Sequence, residues 1–87
     1  GMQARLVFLG RLEDLAGCAD HDLAASAPLD WYDVLGWLGD HFVPELADTV
    51  AGDKVRVAVN GALLGDKHAL VLADGDELAF LPPVSGG

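Results

Sequence analysis

Trp31, Val34, Leu35, Leu38 and Phe42 recur at i, i+3, i+4, i+7 and i+11, a spacing that places all five on one face of an α-helix. Asp30 stands at the N-cap position just before Trp31, and Asp33 and Asp40 fall on the wet side. Gly36 and Gly39 each weaken such a helix by about 1 kcal/mol relative to alanine, so packing must hold it. This is the clearest amphipathic helix in the chain, and its stripe is expected to supply much of the core. The aromatic residues in it read as packing, not as a ligand box.

The flanking segments supply strands for that face to cover. Leu6 to Leu9 form an apolar run after Arg5, a strand buried on at least one side. Gly10 breaks it; Leu12, Leu15 and Ala16 then fall at helical spacing, and Gly17 ends a helix of at most about two turns. His21, Leu23 and Ala25 alternate with Asp22, Ala24 and Ser26, a weaker strand that Pro28 ends. Past the long helix, Pro44 stops it or opens an irregular turn through Leu46 and Val50, and Ala51-Gly52-Asp53 is a loop. Val55, Val57 and Val59 alternate with Arg56 and Ala58, Asn60-Gly61 is the preferred type I′ hairpin turn, and Ala62-Leu63-Leu64 returns. Gly65 to His68 is a turn region before Ala69 to Leu72. Asp74-Gly75-Asp76 turns again, and Glu77 to Leu81 is the last strand, with Leu78 and Phe80 facing one way and Ala79 and Leu81 the other. The last strand is expected beside the first. One mixed sheet of four to five strands packed on one main helix, an α+β roll of the ubiquitin type, satisfies this order. It is a single domain over residues 2–87, without repeats or linkers, and Gly1 before Met2 reads as a remnant of tag cleavage.

A chain of 87 residues holds one modest core and leaves little room for an active site with walls and a lid. That favours a carrier or binding module over a self-contained enzyme. Apolar residues make up 52%, too many for a disordered chain. No apolar run reaches membrane-spanning length and no leader precedes the first strand, so the expected location is the cytoplasm. The single Cys18 forms no internal disulfide and suits a reducing compartment, as a small, partly buried filler. A net charge of −9 argues against nucleic acid and membrane surfaces and points to basic protein partners.

Within the body, no site stands out. His21, His41 and His68 are far apart in sequence, and none joins Cys18 at zinc-ligand spacing. Asp74-Gly75-Asp76 begins like a calcium loop, but the remaining ligands do not follow. Glu13 and Asp14 are adjacent on a short, solvated helix, and Ser26, Thr49 and Ser85 lack a nucleophile pattern. Neither a metal nor a bound cofactor is expected. The chain closes, however, on Phe80-Leu81-Pro82-Pro83-Val84-Ser85-Gly86-Gly87. Glycines carry nothing to pack and have the most conformational entropy to lose, so folding does not ask for them. They suit chemistry on the Gly87 carboxylate: without a Cβ, Gly86 and Gly87 can thread a narrow channel to another protein's ATP. A carboxylate oxygen that attacks an α-phosphate makes an acyl-adenylate, which a sulfur nucleophile can attack. Pro82 and Pro83 lack N–H groups and favour extended geometry, so they end the strand and hold residues 82–87 away from the body as a flexible tail. Many chains end in glycine by fraying alone; an apolar strand, Pro-Pro and Gly-Gly in succession are more specific.

Val57-Ala58-Val59-Asn60, Leu72-Ala73-Asp74-Gly75-Asp76-Glu77 and the segment Phe80 to Gly87 resemble the small subunits of molybdopterin synthase, with Leu6 to Gly17 similar in pattern. The resemblance implies a β-grasp sulfur carrier, related to the carrier of thiamine biosynthesis and not an enzyme on its own. An activating enzyme related to ubiquitin-activating proteins would use ATP to adenylate Gly87. A sulfur-donor protein would convert Gly87 to a thiocarboxylate. The tail would then enter the large synthase subunit, in an expected heterotetramer, and give its sulfur to cyclic pyranopterin monophosphate to build the molybdopterin dithiolene. Carried over, Gly87 bears the activated carboxylate, Val84, Ser85 and Gly86 thread, and Phe80, Leu81, Pro82 and Pro83 meet the partner. Leu81 departs from the family pattern, where an aromatic often stands. Two other readings are a carrier for thiamine thiazole synthesis, whose relatives lack the Phe-x-Pro-Pro lead-in, and a ubiquitin-like modifier or interaction module.

Overall fold

Apolar and polar side chains alternate from the second residue onward: Met2, Ala4, Leu6 and Phe8 are buried, while Gln3 and Arg5 are exposed. The computed structural model, which describes residues 1–84, joins Met2–Phe8 into one strand, β1. The apolar run is only its second half, and Leu9 lies beyond the strand, exposed. Helix α1 (Arg11–Ala16) follows and is closed by Gly17 at φ 79°, whose N–H donates to the Glu13 carbonyl over 2.8 Å. Only a residue free of a Cβ takes that left-handed cap cheaply. Strand β2 (Asp20–Ala25) returns antiparallel to β1, with Met2 opposite Ala25 and Arg5 opposite Asp22. The Arg5 guanidinium bridges Asp20 at 2.8 Å and Asp22 at 2.6 Å.

A two-residue strand, β3 (Leu29–Asp30), leads into the main helix α2 (Trp31–His41). Asp30 is its N-cap as expected, and Asp33 is more than a solvated residue. The Asp33 N–H donates to Asp30 Oδ1 (2.8 Å) and the Asp30 N–H to Asp33 Oδ2 (3.0 Å), a closed capping box. Trp31, Val34 and Leu38 are buried, with Leu35 and Phe42 at the core's margin.

Pro44 does not open an irregular turn. It is the first residue of a further helix, α3 (Pro44–Ala51), where a missing N–H costs no hydrogen bond. Leu46 and Val50, four apart, bury the inner face. Strand β4 (Arg56–Val59) then turns through Asn60 (φ 51°) and Gly61 (φ 83°) into β5 (Ala62–Leu63), the type I′ geometry that Asn-Gly favours. The turn region after β5 contains a 3-10 turn, Lys67–Ala69, and the Ala69 to Leu72 segment ends in a short strand, β6 (Val71–Leu72), that pairs with β3 in a separate two-stranded ribbon. Lys67 fixes this region to α3. Its ammonium donates to the carbonyls of Val50 (3.0 Å), Val55 (2.7 Å) and Gly52, and lies 5.5 Å from the Trp31 ring centroid. Burial lowers its pKa below the ordinary lysine value, and Asp53 works against that shift.

Strand β7 (Glu77–Leu81) runs through the middle of the main sheet, whose order is β2-β1-β7-β4-β5. It is parallel to β1 and antiparallel to β4. The last strand thus lies beside the first, and the molecule is an α+β β-grasp roll. Leu6, Phe8, Val57, Leu78 and Phe80 meet Trp31, Val34, Leu38, Leu46 and Val50 in one core. Among the described residues, no helix is long and apolar enough to cross a membrane.

Candidate functional site

A central strand is the firmest place in a sheet, since both of its edges are hydrogen-bonded, and the tail leaves the body from the end of one. Strand parity turns Leu78 and Phe80 inward. Phe80 is 0% exposed and stacks on Phe8, its register partner on β1, at 5.3 Å between centroids with the rings 7° apart. Phe8 also meets Phe42 edge-on at 5.4 Å. The expectation that Phe80 touches a partner is therefore corrected: it anchors the tail from beneath. Leu81, Pro82 and Pro83 are partly exposed, and Val84 is 92% exposed. Ser85, Gly86 and Gly87 lie outside the described residues.

The start of the tail is also held from the side. The Leu9 N–H donates to the Phe80 carbonyl over 3.1 Å. Gly10, at φ 54°, lies so close that a Cβ there would stand 2.9 Å from Pro82 Cγ. Gly10 thus does more than end a strand; it leaves room for the Pro82 ring. No local signal distinguishes it from any other glycine between a strand and a helix.

The other end of β7 is fixed by a polar network. Asp76 accepts from the Asn60 side-chain amide (2.9 Å) and from the Ala73 N–H (2.8 Å), and Asn60 Oδ1 accepts from the Glu77 N–H (2.9 Å). Asp74 Oδ1 accepts from the Gln3 N–H over 2.8 Å. Hydrogen bonding by Asn60, then by Ala73, lowers the Asp76 pKa below the usual carboxylate value. The Asp-Gly-Asp turn is accordingly structural: it ties the start of β7 to the β4–β5 hairpin and to β1.

Outside the tail root, His21 and His41 flank one indole. The His21 ring lies 5.7 Å from Trp37 and 5.2 Å from Phe42, and His41 stacks on Trp37 at 3.8 Å. His68 lies elsewhere, bonded to Asp66. Among the described residues, no group of three or more His, Cys, Asp and Glu is arranged to hold a metal ion. Cys18 is partly buried at the core's edge.

What this arrangement offers is presentation. A central strand, held at both ends, leads through the partly exposed Pro82 and Pro83 to Val84, which stands out in solvent.

Residues 6–87 match the model of the ThiS family. The chain is 31% identical over 95% of its length to the molybdopterin synthase sulfur carrier subunit of Escherichia coli, of which 98% is covered. It is 35% identical over 99% of its length to the corresponding subunit of Aedes aegypti, of which 90% is covered. Among solved structures it resembles small archaeal modifier protein 1 from Methanosarcina acetivorans, at 26% identity and a TM-score of 0.75, covering 99% of this chain and 97% of that one.

Proposed function

The chain belongs to the ThiS family of sulfur carriers, and we propose that it is the small, sulfur-carrying subunit of molybdopterin synthase. The observation that carries this reading is the match of residues 6–87, with its Gly-Gly end, to the carrier family, together with two relatives of that function similar over nearly the whole chain. Firm anchorage of the tail root by Phe80 and Gly10 fits the same role.

In this reading the Gly87 carboxylate attacks the α-phosphate of ATP held by an activating enzyme, and pyrophosphate leaves. The outer sulfur of a donor persulfide then attacks the carbonyl carbon of the acyl-adenylate and AMP leaves; a second thiol attacks the inner sulfur of the resulting acyl disulfide, forming a disulfide with the donor and freeing the terminus as a thiocarboxylate. Val84, Ser85 and Gly86 thread into the large synthase subunit, where the sulfur passes to cyclic pyranopterin monophosphate. The carrier itself holds no cofactor, and catalytic groups come from its partners. It acts in the cytoplasm, where Cys18 stays reduced. The test is reconstitution. Thiocarboxylated chain with the cognate large subunit converts cyclic pyranopterin monophosphate to molybdopterin, and chain lacking Gly87 binds that subunit but does not.

A second reading, attachment of Gly87 to lysines of other proteins, is favoured by the likeness to small archaeal modifier protein 1. It predicts amide-linked conjugates after incubation with ATP, an activating enzyme and cell extract, and no molybdopterin in the reconstitution.

A further inference from the structure

Strand β2 closes the main sheet on one side, with β1 along one edge and no strand along the other. It is six residues long, whereas β5 at the opposite edge has two. The Phe8 N–H donates to the Ala19 carbonyl over 2.8 Å, one step beyond the register pair of Val7 and Asp20. Bonded and non-bonded pairs alternate along an antiparallel ladder. His21, Leu23 and Ala25 therefore direct their backbone groups to β1, and the N–H and C=O of Asp20, Asp22 and Ala24 point out at the free edge. The Asp22 carbonyl accepts from His21 Nδ1 at 2.6 Å and keeps a second lone pair.

An unpaired edge is a template for one more strand, and the side chains along it decide which strand fits. Arg5 faces Glu77 on β7 and Asp22 on β2. Opposed residues share a face of the sheet, so a row of alternating charge crosses three strands on the face away from the helices. The row runs carboxylate, guanidinium, carboxylate, and it stops at Asp22, whose side chain is 86% exposed. Arg5 also bridges Asp20, so a single cation serves two carboxylates and the edge keeps negative charge. A lysine or arginine opposite Asp22 on a further strand continues the alternation. On the helix side, Leu23 is buried, and the His21 ring meets Trp37 and Phe42 edge-on, both of them only partly buried. A residue opposite His21 on that further strand lies beside this aromatic cluster, where an apolar side chain removes surface from water. A second copy of the chain fits badly. Two β2 edges paired antiparallel about Asp22 set that aspartate opposite itself, and each chain brings a charge of −9.

We propose that the free edge of β2 binds an extended, basic segment of another protein as an added strand, with a lysine or arginine opposite Asp22 and an apolar residue opposite His21. Backbone hydrogen bonds to Asp20, Asp22 and Ala24 supply the pairing, and the aspartates reject acidic strands, copies of this chain included. Strand β1 separates this edge from β7, so the site stays open while the tail is engaged elsewhere. The proposal is independent of what Gly87 carries, and it gives the basic partner expected from net charge a defined place on the molecule.

The test is a titration of the full chain, followed by amide ¹H–¹⁵N spectra and hydrogen exchange, with a short capped peptide in which valine alternates with arginine. Its counterpart with glutamate in place of arginine is the control. The arginine peptide is expected to shift and protect the amides of Asp20, Asp22 and Ala24, and the glutamate peptide to leave them unchanged. Ala24→Pro removes an outward N–H and leaves the β1 ladder intact, so it should weaken the arginine peptide about tenfold. Asp22→Arg should exchange the preference, losing the arginine peptide and gaining the glutamate one; circular dichroism establishes that both variants are folded. Shifts spread over the whole acidic surface and indifferent to Ala24→Pro would show unspecific charge attraction and overturn the proposal. So would the absence of any shift. Protection of the same three amides that grows with protein concentration when no peptide is present would assign the edge to a second copy, and overturns it as well.

Discussion

A Cβ on Gly10 would stand 2.9 Å from Cγ of Pro82, so the residue that closes the first strand also determines where the tail can begin. Real Cβ atoms do not approach carbon this closely, and φ 54° at Gly10 is costly for any other residue. Gly10→Ala is predicted to destabilise the fold by about 1–3 kcal/mol, measured by urea unfolding. Its tail is displaced, so affinity for the large subunit falls by more than stability alone explains, which titration of the folded variant checks.

Phe80 and Leu81 are neighbours with opposite duties. Phe80→Ala empties a site stacked against Phe8 and is predicted to cost about 3–5 kcal/mol in unfolding experiments. Leu81→Asp is predicted to leave the midpoint within a few tenths of a kcal/mol of wild type and to weaken partner binding, by setting a charge in an apolar contact. If the two swap behaviours, strand parity at the tail root has been misassigned.

Most of the layout is legible in the sequence because side-chain period and turn chemistry agree there. Asn60-Gly61 and Asp30 before Trp31 each have one good structural reading, and both are found. The alternation of β7 already turns Phe80 inward, and assigning it to a partner set family likeness above that parity. Helix α3 is missed because its inner face needs only Leu46 and Val50, and Pro44 signals a stop as readily as a start. The β3–β6 ribbon is missed because two-residue strands have no period. Gly10 against Pro82, and Arg56 against Leu81, are long-range pairings. Each becomes visible only once β7 is placed between β1 and β4.

Asp76 gives a stability that depends on pH. Its folded pKa lies below the ordinary carboxylate value, so the stabilisation is fully present above the unfolded pKa and is lost as pH falls through the folded one. Asp76→Ala is predicted to lower the urea midpoint at neutral pH. The gap to wild type should narrow below about pH 4, as the wild-type carboxylate also becomes neutral. A gap that is constant down to about pH 2 would assign the loss to shape rather than charge.

Lys67→Met keeps the stem over Trp31 but removes the ammonium from three carbonyls, at Val50, Gly52 and Val55, of which Gly52 retains the Val55 N–H as a donor. A loss of about 1.5–3 kcal/mol is predicted, with amide exchange quickened at the C-terminal end of α3. Exchange unchanged in that segment would show that water replaces the ammonium without cost.

The most direct measurement is the intact mass of the chain, with its C-terminus untagged, after incubation with ATP, a sulfur donor and the cognate activating enzyme. A gain equal to one oxygen replaced by sulfur, absent when Gly87 is deleted, is the predicted result. An unchanged mass with an activating enzyme that thiocarboxylates another carrier in the same tube would contradict a sulfur-carrying terminus.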